Sequence, residues 1–467
     1  MEPLKNKRVL FIYGHGGMEN LTLNISKELK NRWNTESYFL GGSKGGDQFL
    51  IKNGISKENI YINEYSDSIK NFPQPDVEFI KKAEKKYDFK SWDVWQISAP
   101  RKRSRQKFSS EKVLYWMEYY IKETEKCITK FKPDYVIFYG IASFSGVILY
   151  QMLLKHNIKV LEIINSRIPS RFTINDDLEN NWPLLVKEYN LLKKRDLTKG
   201  EIEKAENFIA EFLEKKFKPD GVGYKYSIKQ KLLKYISYAK TLSYRREMPD
   251  LRQFIWPLAN KILDVSGTFE MPVKGEKYAY YPLHVNPEVS TSFYGRWYVN
   301  QLALIENIAR NLPCDYKLYV KEHPYHYSSR PFNFRQEIKK FPNVRLISPH
   351  ANVVDIIKDC DLVFTITGTT GWEAIMLQKP IITFGDVYYN LFEEVVKLKN
   401  LRELSSIIDK KIGTTNDKTK TLKFINAVLN STFKGVGVIP CICGNSLETQ
   451  NVSLIVDGIE EYIGKNI

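Results

Sequence analysis

The sequence predicts an α/β fold with two facing Rossmann-like domains, and three observations support this prediction. Strands alternate with helices and glycine-rich turns in two separate parts of the chain, as they do in doubly wound parallel sheets. A basic, mostly helical stretch lies between the two parts. The 467 residues are too many for one ordinary core, and an apolar content of 43% is enough to build two.

The N-terminal part opens with an apolar strand, a glycine loop and an amphipathic helix. The strand covers residues 8–13 and the loop residues 14–17, and the helix that follows carries apolar residues four positions apart. Residues 37–40, 59–63, 134–139 and 159–164 predict four further strands. Such an alternation favours parallel strands joined by crossover helices.

The C-terminal part alternates more regularly, and five strands are predicted there. They cover residues 277–283, 315–320, 344–347, 362–367 and 380–384. We assign residues 1–272 to an N-terminal domain with a helical insertion at about residues 170–270, and residues 273–467 to a C-terminal domain whose terminal helix packs back. The carboxyl ends of the two sheets would then face a shared cleft, where open α/β sheets bind ligands.

One uncharged segment, residues 135–154, has the length of a membrane span. A Lys-Pro-Asp sequence precedes its β-rich start, and turn-forming residues from Gly140 to Gly146 interrupt it, so we predict a buried strand, a loop and a buried helix. The apolar run at residues 9–13 is too short for a signal peptide, and the five cysteines are few and odd in number. A cytoplasmic protein is expected.

The formal net charge of +16 is concentrated in two segments. One is residues 101–107, and the other begins at Lys225 and ends at Arg252, where apolar residues recur three and four apart beside lysines. That pattern fits a basic amphipathic helix on an anionic membrane surface, which would make the protein peripheral on the inner face of the plasma membrane, and it also fits a solvated helix packed on its own domain. No zinc-finger spacing, RNA-recognition signature or basic-zipper heptad occurs, so no nucleic-acid partner is predicted.

The clearest ligand-binding pattern is the junction between a buried strand and a helix. The strand ends in Thr367, Gly368, Thr369 and Thr370, and the helix begins at once. Free backbone N–H groups, hydroxyls and the positive end of the helix dipole meet there, and such a terminus binds phosphate. Glu373, one turn inside the helix, can reach a ribose diol or can simply complement the dipole.

Two other strands of the C-terminal part also lead into ionisable residues. Lys321 and His323 follow the second strand, where an imidazole can donate to a phosphate and a lysine adds positive charge. His284 and Glu288 follow the first strand, at the expected mouth of the cleft. Either can contact the nucleotide or the sugar; alternatively, this proline-containing loop only shapes the connection between the domains.

Three of these segments together resemble a known family. YYPLHVNPEVSTS, then KEHP, then TGTTGWEAI followed by QKPIITFG, resemble in order and spacing the bacterial capsule polysaccharide biosynthesis proteins. That group includes β-Kdo transferases and related surface-carbohydrate transferases of GT-B architecture, which has two facing Rossmann-like domains. The resemblance covers residues 278–389. The N-terminal half resembles the family only in its strand and glycine-loop opening, KPDYVIFYG and LEIINSRIPSRFTINDD.

The resemblance implies a glycosyltransferase with a nucleotide-activated donor, CMP-Kdo or a UDP-sugar, and a glycan or glycolipid acceptor. It places the donor phosphates at His323 and at the loop from Thr367 to Thr370, with Glu373 near the ribose. The nucleotide-sugar is a substrate, so no cofactor is expected. Family members with Kdo activity have Gln at the position of His284 and Asp near Glu288, and this chain departs from both.

Transfer with inversion needs a base that takes the proton of the acceptor hydroxyl, and it should come from the N-terminal side of the cleft. His15 and Glu19 follow the first strand and are the first candidates. Asp176 and Asp177 are held in reserve. Alternatively, each of these residues is an exposed polar side chain without a catalytic role.

No metal site is predicted. Asp359-Cys360-Asp361 has the D-x-D form, but it joins a helix end to a strand start and is explained by capping and turn chemistry. Cys441-Ile442-Cys443 lacks a second cysteine pair nearby.

Two other kinds of function stay open at this point. A nucleotide-sugar epimerase or a CDP-polyol phosphotransferase would use a comparable nucleotide pocket, and an epimerase would act without an acceptor. A non-catalytic partner in glycan assembly would bind glycan, and replacing Glu373 or His323 by Ala would then change only its stability.

Overall fold

The computed structural model describes residues 4–13, 18–41, 44–62, 72–98, 108–141, 143–214, 268–286, 288–323, 330, 333–437 and 444–466. Within these residues the chain forms two sheets with helices packed on them. The predicted α/β class with two Rossmann-like sheets of GT-B type is confirmed. His15, the segment from Lys225 to Arg252 and most of the predicted insertion lie outside the described residues.

The first sheet has seven strands in the order β13-β6-β5-β4-β1-β2-β3. The strands are β1 (Arg8–Tyr13), β2 (Glu36–Gly41), β3 (Ile60–Tyr61), β4 (Tyr135–Phe138), β5 (Lys159–Asn165), β6 (Arg171–Asn175) and β13 (Phe433–Lys434). The first five are parallel, while β6 is antiparallel to both β5 and β13. All four side chains of β4 are buried, as expected for a central strand covered on both faces.

Helices join and cover these strands. They are α1 (Met18–Trp33), α2 (Lys44–Lys52), α3 (Val77–Tyr87), α4 (Ser91–Ser98), α5 (Ser110–Phe131), α6 (Phe144–Lys155), α7 (Pro183–Lys193) and α8 (Lys199–Leu213). In α1 the predicted apolar face is buried through Leu21, Ile25 and Leu29. Helix α5 begins at Ser109, whose side chain accepts the Lys112 N–H and so satisfies one of the free donors of the first turn.

The second sheet has six parallel strands in the order β12-β11-β10-β7-β8-β9. The strands are β7 (Tyr278–Pro282), β8 (Lys317–Lys321), β9 (Val344–Ile347), β10 (Leu362–Thr365), β11 (Ile381–Thr383) and β12 (Val395–Lys397). Numbered in chain order, the strands have the 3-2-1-4-5-6 arrangement of a Rossmann sheet. The strand order, but not the strand direction, reverses between β7 and β10.

The helices of this half are mostly short. They are α9 (Val289–Ser292), α10 (Gln301–Asn311), α11 (Phe334–Lys339), α12 (Val353–Asp359), α13 (Thr369–Met376), α14 (Leu404–Lys411), α15 (Lys418–Asn430) and α16 (Thr449–Asn466). Two of them return to the other half of the molecule: α15 packs on α7 and α8, and α16 packs on α1. The last residues of the chain therefore cover the first sheet.

The uncharged segment at residues 135–154 forms a strand, a loop and a helix, as the sequence predicted. Strand β4 and helix α6 are both buried in the N-terminal half. Among the described residues, no helix combines the length and the apolar character that crossing a membrane requires.

Three strands differ from the prediction: the short edge strands β12 and β13 were not predicted, and β6 replaces part of an expected helical region. The region from about residue 170 was expected to be helical, but residues 171–175 form β6, between β5 and β13. The sequence RFTIN is rich in β-branched and aromatic residues, and its two neighbouring strands supply hydrogen bonds on both sides. The strand that pairs with it on one side lies some 260 positions further on, at Phe433, so no local pattern could reveal it.

Candidate functional site

The carboxyl ends of β7 and β10 flank the point where the strand order of the second sheet reverses. In open α/β sheets the crevice at this point is where ligands bind. His284 follows β7, and the loop from Thr367 to Thr370 follows β10. The structure therefore brings together two of the segments that the sequence singled out.

The backbone of His284 is fixed by two side chains, Gln301 and Arg330. The Gln301 side chain accepts the His284 N–H at 2.7 Å and donates to its carbonyl oxygen at 3.0 Å. The Arg330 Nη2 donates to the same oxygen at 3.0 Å. Because Gln301 belongs to α10, the loop after β7 is fixed to a helix of its own sheet.

The imidazole of His284 supports the loop after β10. Its Nε2 lies 3.1 Å from the Thr365 Oγ1 and 3.4 Å from the Thr367 backbone nitrogen. Burial lowers the pKa of His284 to about 3, and the nearby charges of Arg167 and Arg330 act in the same direction. The ring is therefore neutral, and a neutral Nε2 can accept the Thr367 N–H.

Gly368 lies directly against this ring. A Cβ atom at this position would stand 2.8 Å from the Thr365 Oγ1 and 2.9 Å from the His284 Nε2. The Gly368 N–H donates to the same Thr365 hydroxyl at 3.0 Å, and the Gly368 carbonyl accepts from the Tyr389 hydroxyl at 2.6 Å. The backbone of the loop is thus bound on both sides, and only glycine fits there.

The rest of the loop combines one hydroxyl that is already bonded with two backbone N–H groups that are not. The Thr367 hydroxyl donates to the Ser290 carbonyl at 3.0 Å, so it is already used within the protein. Thr369 is exposed and Thr370 is buried, and they are the first two residues of α13. Within the described part of the chain, no protein acceptor takes their backbone N–H groups. These are the groups that a helix start offers to an anion.

The residues at the end of β8 have different partners. The Lys321 Nζ is buried and donates to the Pro349 carbonyl at 2.8 Å, which ties β8 to the loop after β9. Glu322 is buried as well and pairs with Arg330 at 2.8 Å. His323 is half-buried, and its ring is close enough to His284 to help lower the pKa of that residue. Of the two residues predicted here, Lys321 is bound to the Pro349 carbonyl, while the charge of His323 acts on the His284 ring.

Glu288 and Glu373 occupy different parts of the site. Glu288 is exposed at the start of α9, where its carboxylate accepts from the Ser290 hydroxyl at 2.8 Å. Glu373 is half-buried on α13, and its charge, after burial itself, raises the pKa values of the phenols of Tyr280 and Tyr389. Glu373 therefore lies beside the loop that Tyr389 supports.

The first N-terminal candidates lie around the end of β1. Glu19 is half-buried in the first turn of α1 and lies near enough to Tyr13 to contribute to the raised pKa of its phenol, for which burial is the largest cause. The Tyr13 hydroxyl donates to the buried carboxylate of Asp47. His15 lies outside the described residues, so the structure shows nothing of that residue.

The reserve candidates follow β6. Asp176 is exposed. The Asp177 carboxylate accepts the backbone N–H groups of Glu179 at 2.8 Å and Asn181 at 3.3 Å. Asp177 thus orders the turn that leads to α7.

The structure reveals an acidic residue that the sequence analysis did not select. Glu162 lies in β5 and is 2% exposed. Its carboxylate accepts the Ile141 N–H at 2.8 Å and the Asn175 amide at 3.3 Å. Burial raises its pKa to about 7, and the charge of Asp177 adds to the effect. A glutamate within the apolar run VLEII was the signal that could have found it.

Two further residues bring the halves of the molecule together at this point. The Tyr294 phenol, in the loop after α9, is buried where the charges of Glu162, Asp177 and Arg167 all act on it. The Asp386 N–H donates to the Tyr294 carbonyl at 2.8 Å. Arg167, in the turn between β5 and β6, also acts on His284 and Tyr389 of the other half. Charged residues of the N-terminal half therefore act on buried groups of the C-terminal half at this point.

Two further observations concern metal ligands and a cavity outside the site. In the described part of the chain, no three side chains of His, Cys, Asp or Glu come together as a metal site requires. A cavity of about 210 Å³ lies at the amino ends of β8 and β9, between Lys317, Val344 and Arg345. It is at the opposite edge of the sheet from His284, and its Arg345 is already paired with Glu270 and Glu276.

The fold is an α/β fold with two Rossmann-like sheets of GT-B type, and the unused N–H groups of Thr369 and Thr370 lie at the switch point of the second sheet. Residues 225–393 match the model of the capsule polysaccharide biosynthesis protein family. The resemblance read from the sequence is confirmed over this stretch, which contains every C-terminal candidate from His284 to Glu373 and none of the N-terminal ones. No match was found among the curated proteins.

The solved structures found in a structural comparison include several carbohydrate enzymes. The KpsC β-Kdo 2,7 transferase of Thermosulfurimonas dismutans is 15% identical, with 74% of this chain and 90% of that chain covered and a TM-score of 0.39. A glycosyltransferase of Rickettsia africae is 14% identical, with 96% and 99% covered and a TM-score of 0.29. The UDP-GlcNAc 2-epimerase of Neisseria meningitidis, bound to UDP-GlcNAc, is 12% identical, with 91% and 98% covered and a TM-score of 0.29. Likenesses this distant do not assign a substrate to this chain.

Proposed function

We propose that this protein is a metal-independent glycosyltransferase that moves a sugar from a nucleotide-activated donor to a glycan or glycolipid acceptor. The setting is the synthesis of a capsule or another surface polysaccharide, on the cytoplasmic side of the membrane. One observation carries the proposal: the unused N–H groups of Thr369 and Thr370 open at the switch point of a Rossmann sheet, inside the segment that matches the capsule family.

The donor is proposed to bind on the C-terminal side. Its phosphates would accept from the N–H groups at the start of α13 and from His323, and Glu373 would accept from the ribose hydroxyls. His284 is a positioning residue in this scheme. Its ring is neutral and accepts the Thr367 N–H, so it would offer no positive charge to the phosphates. Glu288 remains a candidate for the sugar, on its position at the mouth of the cleft.

The proton of the acceptor hydroxyl must go to a base on the N-terminal side. His15 and Glu19 remain candidates from the sequence. The geometry adds Glu162, a carboxylate that lies below the loop after β4 and close to Tyr294 of the other half. Its raised pKa of about 7 suits a group that exchanges protons near neutral pH. As Glu162 is 2% exposed, it would meet the acceptor only when the cleft opens or the loop after β4 moves.

Thermal unfolding with a panel of nucleotides tests the donor site. CMP, CDP, UDP, GDP and their common sugar conjugates are added to the wild type, to His323→Ala and to His350→Ala. His350 is a matched control, because it is an exposed histidine in the loop after the neighbouring strand β9. A ligand present at a hundred times its Kd adds about 2.7 kcal/mol of stability. We expect one nucleotide to stabilise the wild type and His350→Ala but to stabilise His323→Ala much less.

The transfer step is tested with the nucleotide-sugar that stabilises the protein. Incubation with a lipid-linked or oligosaccharide acceptor should release the nucleotide and lengthen the acceptor by one sugar, and it should do so in the presence of EDTA. Conversion of the donor sugar without any acceptor would show an epimerase instead. If no nucleotide stabilises the wild type and no sugar is transferred, the transferase proposal is wrong and a non-catalytic role in glycan assembly replaces it.

A further inference from the structure

Arg167 occupies a backbone position that side chains rarely adopt. It lies in the turn between β5 and β6 with a φ of 63°, in the left-handed region. Its N–H donates to the Asn165 side chain at 2.7 Å, and the Ser166 hydroxyl donates to the Arg171 carbonyl at 2.7 Å. A turn that is held this firmly fixes where the Arg167 side chain starts. Strained positions that the surroundings enforce are frequent at ligand sites.

The guanidinium of Arg167 extends from the N-terminal half to groups of the C-terminal half. Its charge acts on the His284 ring and on the phenols of Tyr294, Tyr388 and Tyr389. All four groups are neutral, since burial lowers the pKa of the histidine and raises the pKa values of the tyrosines. The Tyr389 hydroxyl gives its own hydrogen to the Gly368 carbonyl, so the guanidinium lies next to the loop that starts α13.

Among the residues that the structure describes, this guanidinium forms no ion pair. Its Nη1 is buried and has no hydrogen-bond partner, and no carboxylate lies within ion-pair distance of Arg167, in the part of the chain that the structure describes. In the second half, by contrast, Arg330 pairs with Glu322 at 2.8 Å and Arg345 with Glu276 at 2.7 Å. A buried donor atom that has no acceptor is costly, and an anion that accepts from it removes this cost.

We infer that Arg167 is the contact which the N-terminal domain makes to the phosphate of the donor, opposite the N–H groups of Thr369 and Thr370. The inference deepens the proposed function and rests on it for the identity of the anion. An arginine suits this position because its planar fork can bind two phosphate oxygens at once. The same phosphate would then be held by both domains.

This arrangement makes donor binding a link between the two halves of the protein. With no anion, the groups of the C-terminal half on which the Arg167 charge acts, His284 and the three tyrosines, are all neutral. With a phosphate between them, an opposite charge lies between Arg167 and the positive end of the helix. The acceptor side of the cleft would be completed when the donor is present.

Isothermal titration of the full-length protein with nucleotides tests this contact. Three variants are compared with the wild type: Arg167→Gly, Arg167→Lys and Arg310→Ala. Glycine adopts a φ of 63° without strain, so Arg167→Gly removes the side chain and spares the turn. Arg310 is the matched control, because it is exposed on α10 and pairs only with Glu306 in the same helix.

We expect Arg167→Gly to bind the stabilising nucleotide about 10- to 100-fold more weakly, which is the size of a lost charge-assisted hydrogen bond. Binding of the nucleoside that lacks the phosphate should be unchanged. Arg167→Lys should fall between the two, because it keeps the charge and loses the fork, and Arg310→Ala should match the wild type. Equal nucleotide affinity of Arg167→Gly and the wild type would overturn the inference and leave the proposed function standing.

Pyrophosphate as a second probe separates the two proposals. If no nucleotide binds the wild type but pyrophosphate raises its melting temperature, and Arg167→Gly loses that rise while its melting temperature without ligand is unchanged, the anion contact stands and the nucleotide donor is wrong. If neither nucleotides nor pyrophosphate affects the wild type, both proposals are wrong.

Discussion

His284 shows how a single buried side chain can shape a ligand loop without titrating. Its N–H is fixed by Gln301 and its carbonyl by Gln301 and Arg330, and its ring accepts from Thr367. A protonated ring would carry a donor at Nε2 and would repel the Thr367 N–H. The lowered pKa of His284, about 3, is therefore a condition for the loop geometry.

The first prediction concerns acid stability and uses His284→Gln, which keeps an acceptor for the Thr367 N–H. An unfolded histidine has a pKa of about 6.5, and the folded value is about 3, so the unfolded state binds more protons below pH 6.5. The wild type thus loses stability as the pH falls from 6.5 toward 3. We expect His284→Gln to gain about 2–3 kcal/mol relative to the wild type between pH 7 and pH 4.5. Urea unfolding at the two pH values measures this. A difference in free energy of unfolding between His284→Gln and the wild type that is the same at both pH values would contradict it.

Glu162 gives the second prediction, with the opposite sign. Its folded pKa is about 7 against an ordinary value of 4.5, so the folded state holds the extra proton between these values and stability falls as the pH rises through them. Glu162→Gln removes this loss, and its free energy of unfolding relative to the wild type should rise by about 3 kcal/mol from pH 4.5 to pH 8.

Urea unfolding at pH 4.5, 6 and 8 measures this rise. The control is Glu211→Gln, an exposed carboxylate of α8. A difference between Glu162→Gln and the wild type that does not vary with pH would show that Glu162 is not a buried, proton-binding group. If Glu162 is also the base, the same variant should lose the transfer activity while it still binds the donor nucleotide.

At the scale of elements, the start of α13 is held by close packing of glycines against aromatic rings. A Cβ atom on Gly371 would lie 2.5 Å from the Tyr389 ring and hydroxyl. That ring cannot simply move away, because its hydroxyl donates to the Gly368 carbonyl and so holds the loop before the helix. The glycine is therefore required by its neighbour, although alanine favours a helix more.

The third prediction compares Gly371→Ala with Gly200→Ala. Both glycines lie in helices, α13 and α8, but the Cβ of an alanine at Gly200 meets nothing within 4 Å. Gly200→Ala should be neutral or stabilise the protein by up to about 1 kcal/mol, from helix propensity. Gly371→Ala should destabilise it by about 1–3 kcal/mol, as overpacking does, and should weaken nucleotide binding. Thermal unfolding of both variants decides this; equal melting temperatures would show that Tyr389 yields freely.

The sequence predicted five of the six strands of the second sheet, because each of these is a short apolar run between turns, and it missed the three-residue edge strand β12. Strand β9 coincides with the predicted residues 344–347, and the helix start after β10 lies at Thr369. Strand β6 was missed because its partner β13 comes from the far end of the chain. Local patterns identify elements; they do not show which distant strand will complete a sheet edge.

The candidate site was predictable to a similar degree. His284 and Thr367 were identified because each follows an apolar strand, and the strand order places these two strand ends side by side. Glu162 and Arg167 were not selected, since their significance depends on neighbours from other segments, such as Ile141 and Tyr294. A missing counter-charge can be recognised only when the surroundings are known.

At the scale of the whole molecule, the two halves are joined by more than the cleft. The Trp182 ring of the N-terminal half stacks on Tyr388 of the C-terminal half with ring centres 3.8 Å apart. Strand β13 adds to the first sheet, and α16 covers it. The halves therefore share one hydrophobic cluster, and we expect them to unfold together.

Arg171 is the polar part of this junction. From β6 its guanidinium donates to the carbonyls of Leu429 and Thr432 at 2.9 and 2.5 Å and to the Thr432 hydroxyl at 2.8 Å. These acceptors lie at the end of α15, where carbonyls have no partner within the helix. Burial lowers the pKa of Arg171, which shows that the charge is largely removed from water.

The last prediction is that Arg171→Met uncouples the two halves. Methionine fills a similar volume but removes the guanidinium donors of the Thr432 and Leu429 carbonyls, of which the Leu429 carbonyl keeps the Thr432 hydroxyl at 3.2 Å. A buried carbonyl left unsatisfied costs about 1–3 kcal/mol. We expect the wild type to unfold in urea in one transition, and the variant to unfold earlier and in two, because α15 loses its guanidinium bonds to β6 and only the backbone pairing of β6 with β13 and the Thr173 bond to Ser431 remain. Tryptophan fluorescence and far-UV circular dichroism, followed together, distinguish one transition from two. Arg310→Met, an exposed arginine of α10, should unfold like the wild type. If Arg171→Met also unfolds like the wild type, the apolar contacts and the backbone pairing of β6 with β13 hold the junction, and the capping of α15 by Arg171 contributes nothing to the cohesion of the molecule.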